Sequence, residues 1–365
     1  MNPIYKALLI AAVAAGCGAS AAYAQNTTRL SVTKANDYAL VYTLPVTNLS
    51  VTLEAEITVK KPGEFYKYAK KYLNINDPVT KESRTASLKS AVVSTFGLPD
   101  ADQRYAVQFK SGSDAYMTMS AANVPLSVNT TKVAPEEAVT LPEAQPAPPT
   151  SLETPAARQV VSEEMMQSQS TAKRAELAAS ALFAIRQTRA DLISGQAEQM
   201  PPDGKSLQLM LDNLEAQEKA LMAMFVGTTA VSTDVATFNI CPQGDMKHKV
   251  LARISPVDGI VDANDLSGEP VYIDVEVTQR GEMPVNEKGQ QLVFPKNGFA
   301  YCIPGMASVA VSYDGRTYAD RDEEFAQFGV VYGLNPNSFT NRKAPLYVVF
   351  DPATGAILEQ GVAAE

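Results

Sequence analysis

The spacing of hydrophobic and polar residues changes along the chain, and it begins with a β pattern. Hydrophobic residues alternate with polar ones over residues 49–60, and this period of two predicts a long strand with one buried and one solvent-facing side. Residues 38–44 are the predicted partner strand, joined through a bend at residues 45–48, and the Pro-Gly pair at residues 62–63 ends the long strand. Residues 25–132 are therefore predicted to form a β-rich N-terminal domain.

The next segment is proline-rich, and the one after it has a helical period. Residues 133–157 contain six prolines, which predict an extended linker or a strap along a domain surface. Over residues 158–227 hydrophobic residues recur at steps of three and four, and Gly195 and Gly227 follow the two periodic runs as helix ends. Two helices with a short connection predict an antiparallel helical hairpin. The hairpin is either an ordinary packed helix pair or a protruding arm that grips a partner.

Residues 228–365 return to a β pattern. Alternation over residues 271–278 and 307–313 predicts strands, and Asp314-Gly315 predicts a hairpin turn. These features predict a β-sandwich-like C-terminal domain. The fold class is therefore α+β, with two β regions flanking the helical hairpin. A second arrangement stays open, in which the two β regions share one core and the helices interrupt a single sheet.

The first 24 residues have the pattern of an export signal. An apolar run at residues 7–15 is too short to span a membrane, and Ala22-Tyr23-Ala24 matches the small-residue motif of signal peptidase. Residues 1–24 are therefore predicted to be a signal peptide that is cleaved after Ala24. The alternative is a lipoprotein signal at residues 14–17, with Cys17 lipidated. No later run reaches about 18 apolar residues, so the mature chain is predicted to have no transmembrane segment.

Composition narrows the chemistry that the chain can perform. Its one histidine, His248, lies between lysines and is predicted to be on the surface, and no other residue could serve a Ser-His-Asp or Cys-His mechanism. Three cysteines cannot form a four-cysteine zinc or iron–sulfur site. The net charge of −9 disfavours nucleic-acid binding. The sequence predicts no catalytic residue, no cofactor and no metal site, and it favours a protein that is not an enzyme.

Several phrases of the sequence occur together in one known family. They lie at residues 61–69 (KPGEFYKYA), 175–195, 202–227, 301–307 (YCIPGMA) and 326–334. Together they resemble a family of exported proteins from Bacteroidota that is known only as domain of unknown function 4831. The resemblance covers nearly the whole mature chain. It implies export to a Gram-negative cell envelope, in the periplasm or at the outer membrane, and it brings no activity, substrate or site residue.

The two cysteines outside the predicted signal peptide, Cys241 and Cys302, both lie in the C-terminal β region. An exported protein meets an oxidising compartment, where these residues could form a disulfide. The bridge would close a loop of about 60 residues and would stabilise the fold by about 4 kcal/mol in the chain-entropy model. Two buried thiols are the alternative.

The N-terminal region is basic although the whole chain is acidic. Residues 26–133 hold 13 basic and nine acidic residues. Five lysines lie at the end of the long strand and on a short helix predicted over residues 64–73, namely Lys60, Lys61, Lys67, Lys70 and Lys71. The favoured interpretation is a solvated helix face. The alternative is contact with an anionic partner, such as lipid head groups, a glycan or an acidic protein.

One loop is crowded with oxygen-bearing side chains, at Asp258, Asp262, Asn264, Asp265 and Glu269. Calcium prefers such ligands, but the spacing of an EF-hand is absent. The loop is therefore predicted to be polar and solvated.

These features predict an exported, non-catalytic binding or scaffold protein of the cell envelope that contacts a partner through its helical hairpin. An envelope protein is the predicted partner. The alternative is a small-ligand binder, or an enzyme whose site combines Tyr, Ser, Asp and Lys from distant segments.

Overall fold

Long antiparallel strands precede and follow a group of helices along the chain. A computed structural model describes residues 40–109, 114–135, 138–199, 201 and 203–362, and the predicted signal peptide, its cleavage site and Cys17 lie outside them. The described chain mixes strand and helix and is strand-rich, which confirms this part of the predicted fold class. The strands are β1 (Leu40–Lys61), β2 (Ser83–Val107), β3 (Met117–Met119), β4 (Pro125–Val128), β5 (Thr228–Ile240), β6 (Met246–Ser255), β7 (Gly259–Asp262), β8 (Glu269–Gln279), β9 (Phe299–Tyr313), β10 (Arg316–Leu334), β11 (Leu346–Phe350) and β12 (Ile357–Val362). The helices are α1 (Ala69–Leu73), α2 (Pro155–Gln159), α3 (Glu163–Gln167), α4 (Thr171–Ser194), α5 (Gly204–Val226) and α6 (Pro336–Phe339), with a 3₁₀ turn at Tyr66–Tyr68.

The first strand is longer than the sequence pattern indicates. β1 runs from Leu40 through Pro45 without a turn, so the predicted hairpin bend at residues 45–48 is wrong. The pairing of β1 with β2 shifts register between Thr43 and Pro45. A proline has no N–H to donate, and here it lies at an irregularity of the ladder. The segment predicted as a partner strand is therefore the first part of β1 itself.

Two residues in the middle of the polar side of β1 are buried, as the hydrophobic side is. Thr52 and Glu54 are 2% and 8% exposed, although the alternation predicts that they face solvent. Thr52 Oγ1 lies 2.9 Å from Thr237 Oγ1 on β5. Glu54 accepts hydrogen bonds from Lys89 Nζ at 2.7 Å and from Ser90 Oγ at 2.8 Å on β2. The neighbouring strands therefore supply the partners that water was expected to supply.

Strands that precede the helices pair with strands that follow them. β1 lies beside β5, with Leu49 opposite Ile240, and β4 lies beside β11, with Val128 opposite Val348. The three sheets have the strand orders β2-β1-β5, β10-β9-β8-β6-β7 and β12-β11-β4-β3. The two β regions therefore contribute to common sheets, as in the arrangement where the helices interrupt one sheet in the sequence.

Three hydrophobic cores stabilise the described chain. The first is built from both the three-stranded and the five-stranded sheet, with Leu53 and Ile273 among its residues. The second joins the helices to the 3₁₀ turn. The third contains Tyr42, whose hydroxyl donates to Ala300 O at 3.2 Å and accepts from Ala300 N at 2.7 Å. Burial raises the pKa of Tyr42 far above its usual value, so this hydroxyl stays protonated and keeps both hydrogen bonds.

The proline-rich segment contacts the outer edge of β5. Backbone hydrogen bonds of 3.0 and 2.9 Å join Gln145 to Thr233. An uncovered strand edge can pair with another chain, and this contact covers part of that edge. The segment therefore lies along the surface as a strap before it reaches α2, where Ala157 enters the second core.

Candidate functional site

Local signals fix the ends of α4 and α5. Asp203 Oδ1 accepts hydrogen bonds of 2.9 Å from the N–H groups of Lys205 and Ser206 at the start of α5, and these bonds, chiefly the one from Ser206, lower the pKa of Asp203. Gly195 and Gly227, with φ of 72° and 88°, follow the last residues of α4 and α5. Neither these helices nor the others in the described ranges combine the length and apolarity needed to cross a bilayer.

Ion pairs join α4 to α5. Glu218 accepts from Arg186 Nε at 2.7 Å and from Arg189 Nη1 at 3.0 Å. Glu215 lies 3.9 Å from Arg189 and 2.7 Å from Lys219, and the hydrogen bond from Lys219 lowers its pKa. The ion pairs therefore connect the second half of α4 to the middle and second half of α5.

A shallow depression of about 370 Å³ lies beside these ion pairs. Its lining includes Arg186, Arg189 and Lys219, and each of these basic side chains already contacts Glu215 or Glu218. A small anionic ligand would therefore have to compete with a carboxylate of the protein itself. The depression gives little support to the small-ligand alternative.

The two halves of the helix pair differ in burial. Leu182, Leu221 and Phe225 belong to the second core. In contrast, no described residue of the segment 186–219 belongs to any of the three cores, and Leu192 is the one buried side chain described in it. The part of α5 from Gly204 to Lys219 extends over about 24 Å at 1.5 Å per residue. We call residues 186–219 the distal segment.

Hydrophobic side chains of the distal segment face solvent. Ile193, Leu209 and Met210 are 66%, 72% and 43% exposed. The spacing of Leu207 and Leu211 places both on one side of α5, whereas Leu209 lies halfway between them in sequence and points elsewhere. The distal segment therefore exposes apolar surface besides the residues that hold its two helices together.

The five lysines that are candidates for contact with an anionic partner lie on one continuous segment. Lys60 and Lys61 end β1, Lys67 is in the 3₁₀ turn, and Lys70 and Lys71 are in α1. All five are exposed. The single helix predicted over residues 64–73 is instead a 3₁₀ turn followed by one short α-helix, and the exposed lysines extend across both.

The C-terminal end of α5 anchors this lysine-bearing segment. A Cβ atom on Gly63 would approach Met224 O to 2.3 Å, so the backbone contact there requires glycine. Phe65 N donates to Met224 O at 2.7 Å. The Phe65 ring is fully buried and lies 5.5 Å from the ring of Phe225. The lysines therefore project from a backbone that is fixed to the second core.

The two cysteines have different surroundings. Cys302 is 3% exposed, its Sγ lies 3.5 Å from Ala326 O, and burial raises the pKa of its thiol to about 12. Cys241 is half-buried, and its Sγ accepts from Gln243 Nε2 at 3.1 Å. The disulfide between them stays a prediction.

The remaining polar candidates have structural partners. The His248 side chain is 78% exposed, as predicted, and its Nδ1 lies 3.3 Å from Asp274 Oδ1. Asp262 and Asp265 each accept a 2.9 Å hydrogen bond from the backbone N–H two residues further on. Within the described ranges, no group of three or more His, Cys, Asp or Glu residues could hold a metal ion.

A polar junction that sequence reasoning missed joins β1 and β10 to the chain after β5. Gln327 Oε1 accepts from Thr47 N at 3.1 Å, and Gln327 Nε2 donates to Thr47 O and Pro242 O, both at 2.9 Å. The pairing of β10 with β9 shifts between Phe325 and Val330, which turns this glutamine toward β1. The one available signal was an amide among the hydrophobic residues of β10.

These features define a strand-rich protein of mixed α and β structure, with a helix pair that extends beyond its cores. A family model described as Domain of unknown function (DUF4831) matches residues 38–358, and the chain belongs to this family. No curated protein and no solved structure matches the chain. The predicted family is therefore confirmed, whereas export and an origin in Bacteroidota stay predictions.

Proposed function

We propose that this protein is a non-catalytic binding or scaffold protein that contacts a partner protein through the helical hairpin formed by α4 and α5. The observation that carries the proposal is the distal segment, because residues 186–219 belong to none of the cores of the described chain. Packing within the fold therefore does not account for its length. Contact with another protein would account for that length.

The chemistry of the distal segment suits a protein partner. Ile193 and Leu209 expose apolar surface, and an amphipathic helix surface of this kind binds in hydrophobic grooves. The ion pairs of Glu218 with Arg186 and Arg189 hold the two helices in one arrangement. A fixed arrangement lowers the conformational entropy that is lost when a partner binds.

The proposed site of action is the cell envelope of a Bacteroidota bacterium, after export. The pattern of residues 1–24 and the family resemblance support this location. Mass analysis of the N-terminal peptide from the native protein tests it. Gln25 is the expected first residue, and a peptide that begins at Met1 or at a lipidated Cys17 would contradict cleavage after Ala24.

Site-specific photo-crosslinking in intact cells tests the partner contact. A crosslinking side chain is placed at Ile193 or at Leu209 in the distal segment. A third protein carries it at Leu266, which is 82% exposed and lies between β7 and β8. We expect the same protein to be captured from both helix positions and not from Leu266.

Substitution variants make the crosslinking result specific. Leu209→Asp should reduce capture from Ile193 by about tenfold, because it places a charge in an apolar contact. Leu266→Asp is the matched control, and it should leave that capture unchanged. Capture of nothing above background, or of the same proteins from all three positions, would count against the scaffold proposal.

A further inference from the structure

We propose that residues 60–72 form a docking surface for an anionic lipid bilayer, separate from the distal segment of the helices. We call these residues the lysine–tyrosine segment. Its exposed lysines alternate with partly buried tyrosines, and the residues concerned are Lys60, Lys61, Tyr66, Lys67, Tyr68, Lys70, Lys71 and Tyr72. The argument uses the charges, the ring contacts and the anchoring of this segment.

The lysine charges of this segment are not neutralised by ion pairs. Among the described residues, Lys89, Lys132, Lys173 and Lys219 each lie within 3.1 Å of a carboxylate oxygen. No ion pair of the described chain includes a lysine of the lysine–tyrosine segment. Exposed lysines that form no ion pair attract anionic lipid, by roughly 1 kcal/mol per residue near the membrane surface.

Nearby carboxylates are engaged by other groups. Glu64 pairs with Arg174 at 2.6 Å. Glu153 has a lowered pKa chiefly because Thr150 N donates a hydrogen bond to it, and Lys61 adds a smaller electrostatic contribution. The acidic side chains around the segment therefore leave most of its positive charge available.

The tyrosine rings support the lysine ammonium groups and suit the interface of a bilayer. Lys71 Nζ lies 4.8 Å from the centroid of the Tyr72 ring, and Lys67 Nζ lies 5.8 Å from that of Tyr66. The rings of Tyr68 and Tyr72 contact each other at 6.2 Å. Tyr68 and Tyr72 also pack against the second core, whereas Tyr66 does not. A tyrosine such as Tyr66 and the lysines can therefore place an apolar body against the acyl boundary and a polar tip among head groups.

These ring contacts favour a lipid surface over a nucleic acid. Stacking by bases needs an open ring face, and here lysines lie over Tyr66 and Tyr72. The charge along the chain also favours this region. The whole chain has a net charge of −9, while residues 26–133 hold 13 basic and nine acidic residues and therefore attract an anionic bilayer more than the rest of the chain does.

Vesicle flotation with the purified protein tests the proposal. The vesicles are phosphatidylcholine alone or with about 30 mol% phosphatidylglycerol, at low salt. We expect binding only to the anionic vesicles and its loss at about 0.5 M salt, where charges are screened within a few ångströms. Replacing all five lysines by Glu should lower the partition coefficient at least about tenfold.

A charge-matched variant separates the segment from the overall charge. It replaces five exposed lysines elsewhere by Glu, namely Lys247, Lys249, Lys288, Lys296 and Lys343. All variants keep the same N-terminus, so any contribution of residues 1–24 cancels, and thermal unfolding confirms that they fold. Equal losses in the two variants would overturn the proposal. So would equal binding to both vesicle types, or binding to RNA or to heparin without binding to vesicles.

Discussion

Replacing Gln327 by alanine tests whether one side chain holds β1, β10 and the chain after β5 together. The amide makes three hydrogen bonds of 2.9 to 3.1 Å, two of them to the backbone of Thr47. Thr47 is fully buried, so water cannot replace the lost partners without a rearrangement. The substitution therefore removes three contacts and leaves buried backbone groups without partners.

The magnitude of this effect follows from the number of bonds. Each neutral hydrogen bond contributes about 1 kcal/mol net, and a buried group left unsatisfied costs about 1–3 kcal/mol. Gln327→Ala should therefore lower the free energy of unfolding by about 3 kcal/mol. Gln327→Glu should be at least as destabilising, because a carboxylate oxygen would face the carbonyl oxygens of Thr47 and Pro242.

Urea unfolding measures this change. The m-value of a chain this long is at the upper end of about 1–3 kcal/mol/M or above it, so a loss of about 3 kcal/mol at an unchanged m-value moves the midpoint down by up to about 1 M. Gln199→Ala, at an exposed position, is the matched control and should change stability by less than about 0.5 kcal/mol. A loss below about 1 kcal/mol for Gln327→Ala would refute the reasoning, because it would mean that other groups replace the hydrogen bonds of the Gln327 side chain.

Four further predictions concern charged and titrating groups. Lys89 lowers the pKa of Glu54 through a hydrogen bond, so this contact stabilises the fold fully above the ordinary pKa of 4.5 and less as pH falls through the lowered value. In Lys89→Ala, the free energy of unfolding, measured from urea midpoints, should therefore fall less steeply as the solution is acidified. An unchanged pH profile would contradict this. Burial raises the pKa of Cys302 to about 12, so thiol reagents should label Cys241 at least about tenfold faster in the folded protein, and equal rates would argue against it. Counting the thiols of unfolded, unreduced protein then tests the predicted disulfide, which a count of two would exclude. Glu218→Ala should cost about 1 kcal/mol and speed amide exchange in the distal segment, and unaltered exchange would mean that the ion pairs do not hold the helices.

Local elements were predictable because their signals are local. The alternation over residues 271–278 and 307–313 lies within β8 and β9. Asp314 and Gly315 form the predicted turn, with φ of 48° and 69°. The two glycines that follow α4 and α5 were predicted as helix ends for the same reason, since a left-handed backbone conformation favours glycine wherever it occurs.

The candidate surfaces were predictable only as residue types. The sequence indicated the five lysines, but not that Glu64 is paired with Arg174 and that the backbone of the segment is fixed by contact of Phe65 with α5. The sequence indicated a helix pair, but it did not indicate which parts of the pair are buried and which are exposed. Which half of that pair is buried depends on where the second core ends, and periodicity carries no information about this.

By itself the sequence determined the strand and helix periods, the helix ends, the turn at residues 314–315 and the family. The tertiary structure alone decided that β1 passes through Pro45 and pairs with β5 across the helices, and that Thr52, Glu54 and Gln327 find partners on distant strands. The physical reason is the separation along the chain of the residues that interact. A period or a turn reports the preference of a few neighbouring residues, whereas strand pairing and polar satisfaction depend on contacts between residues that are far apart in the chain.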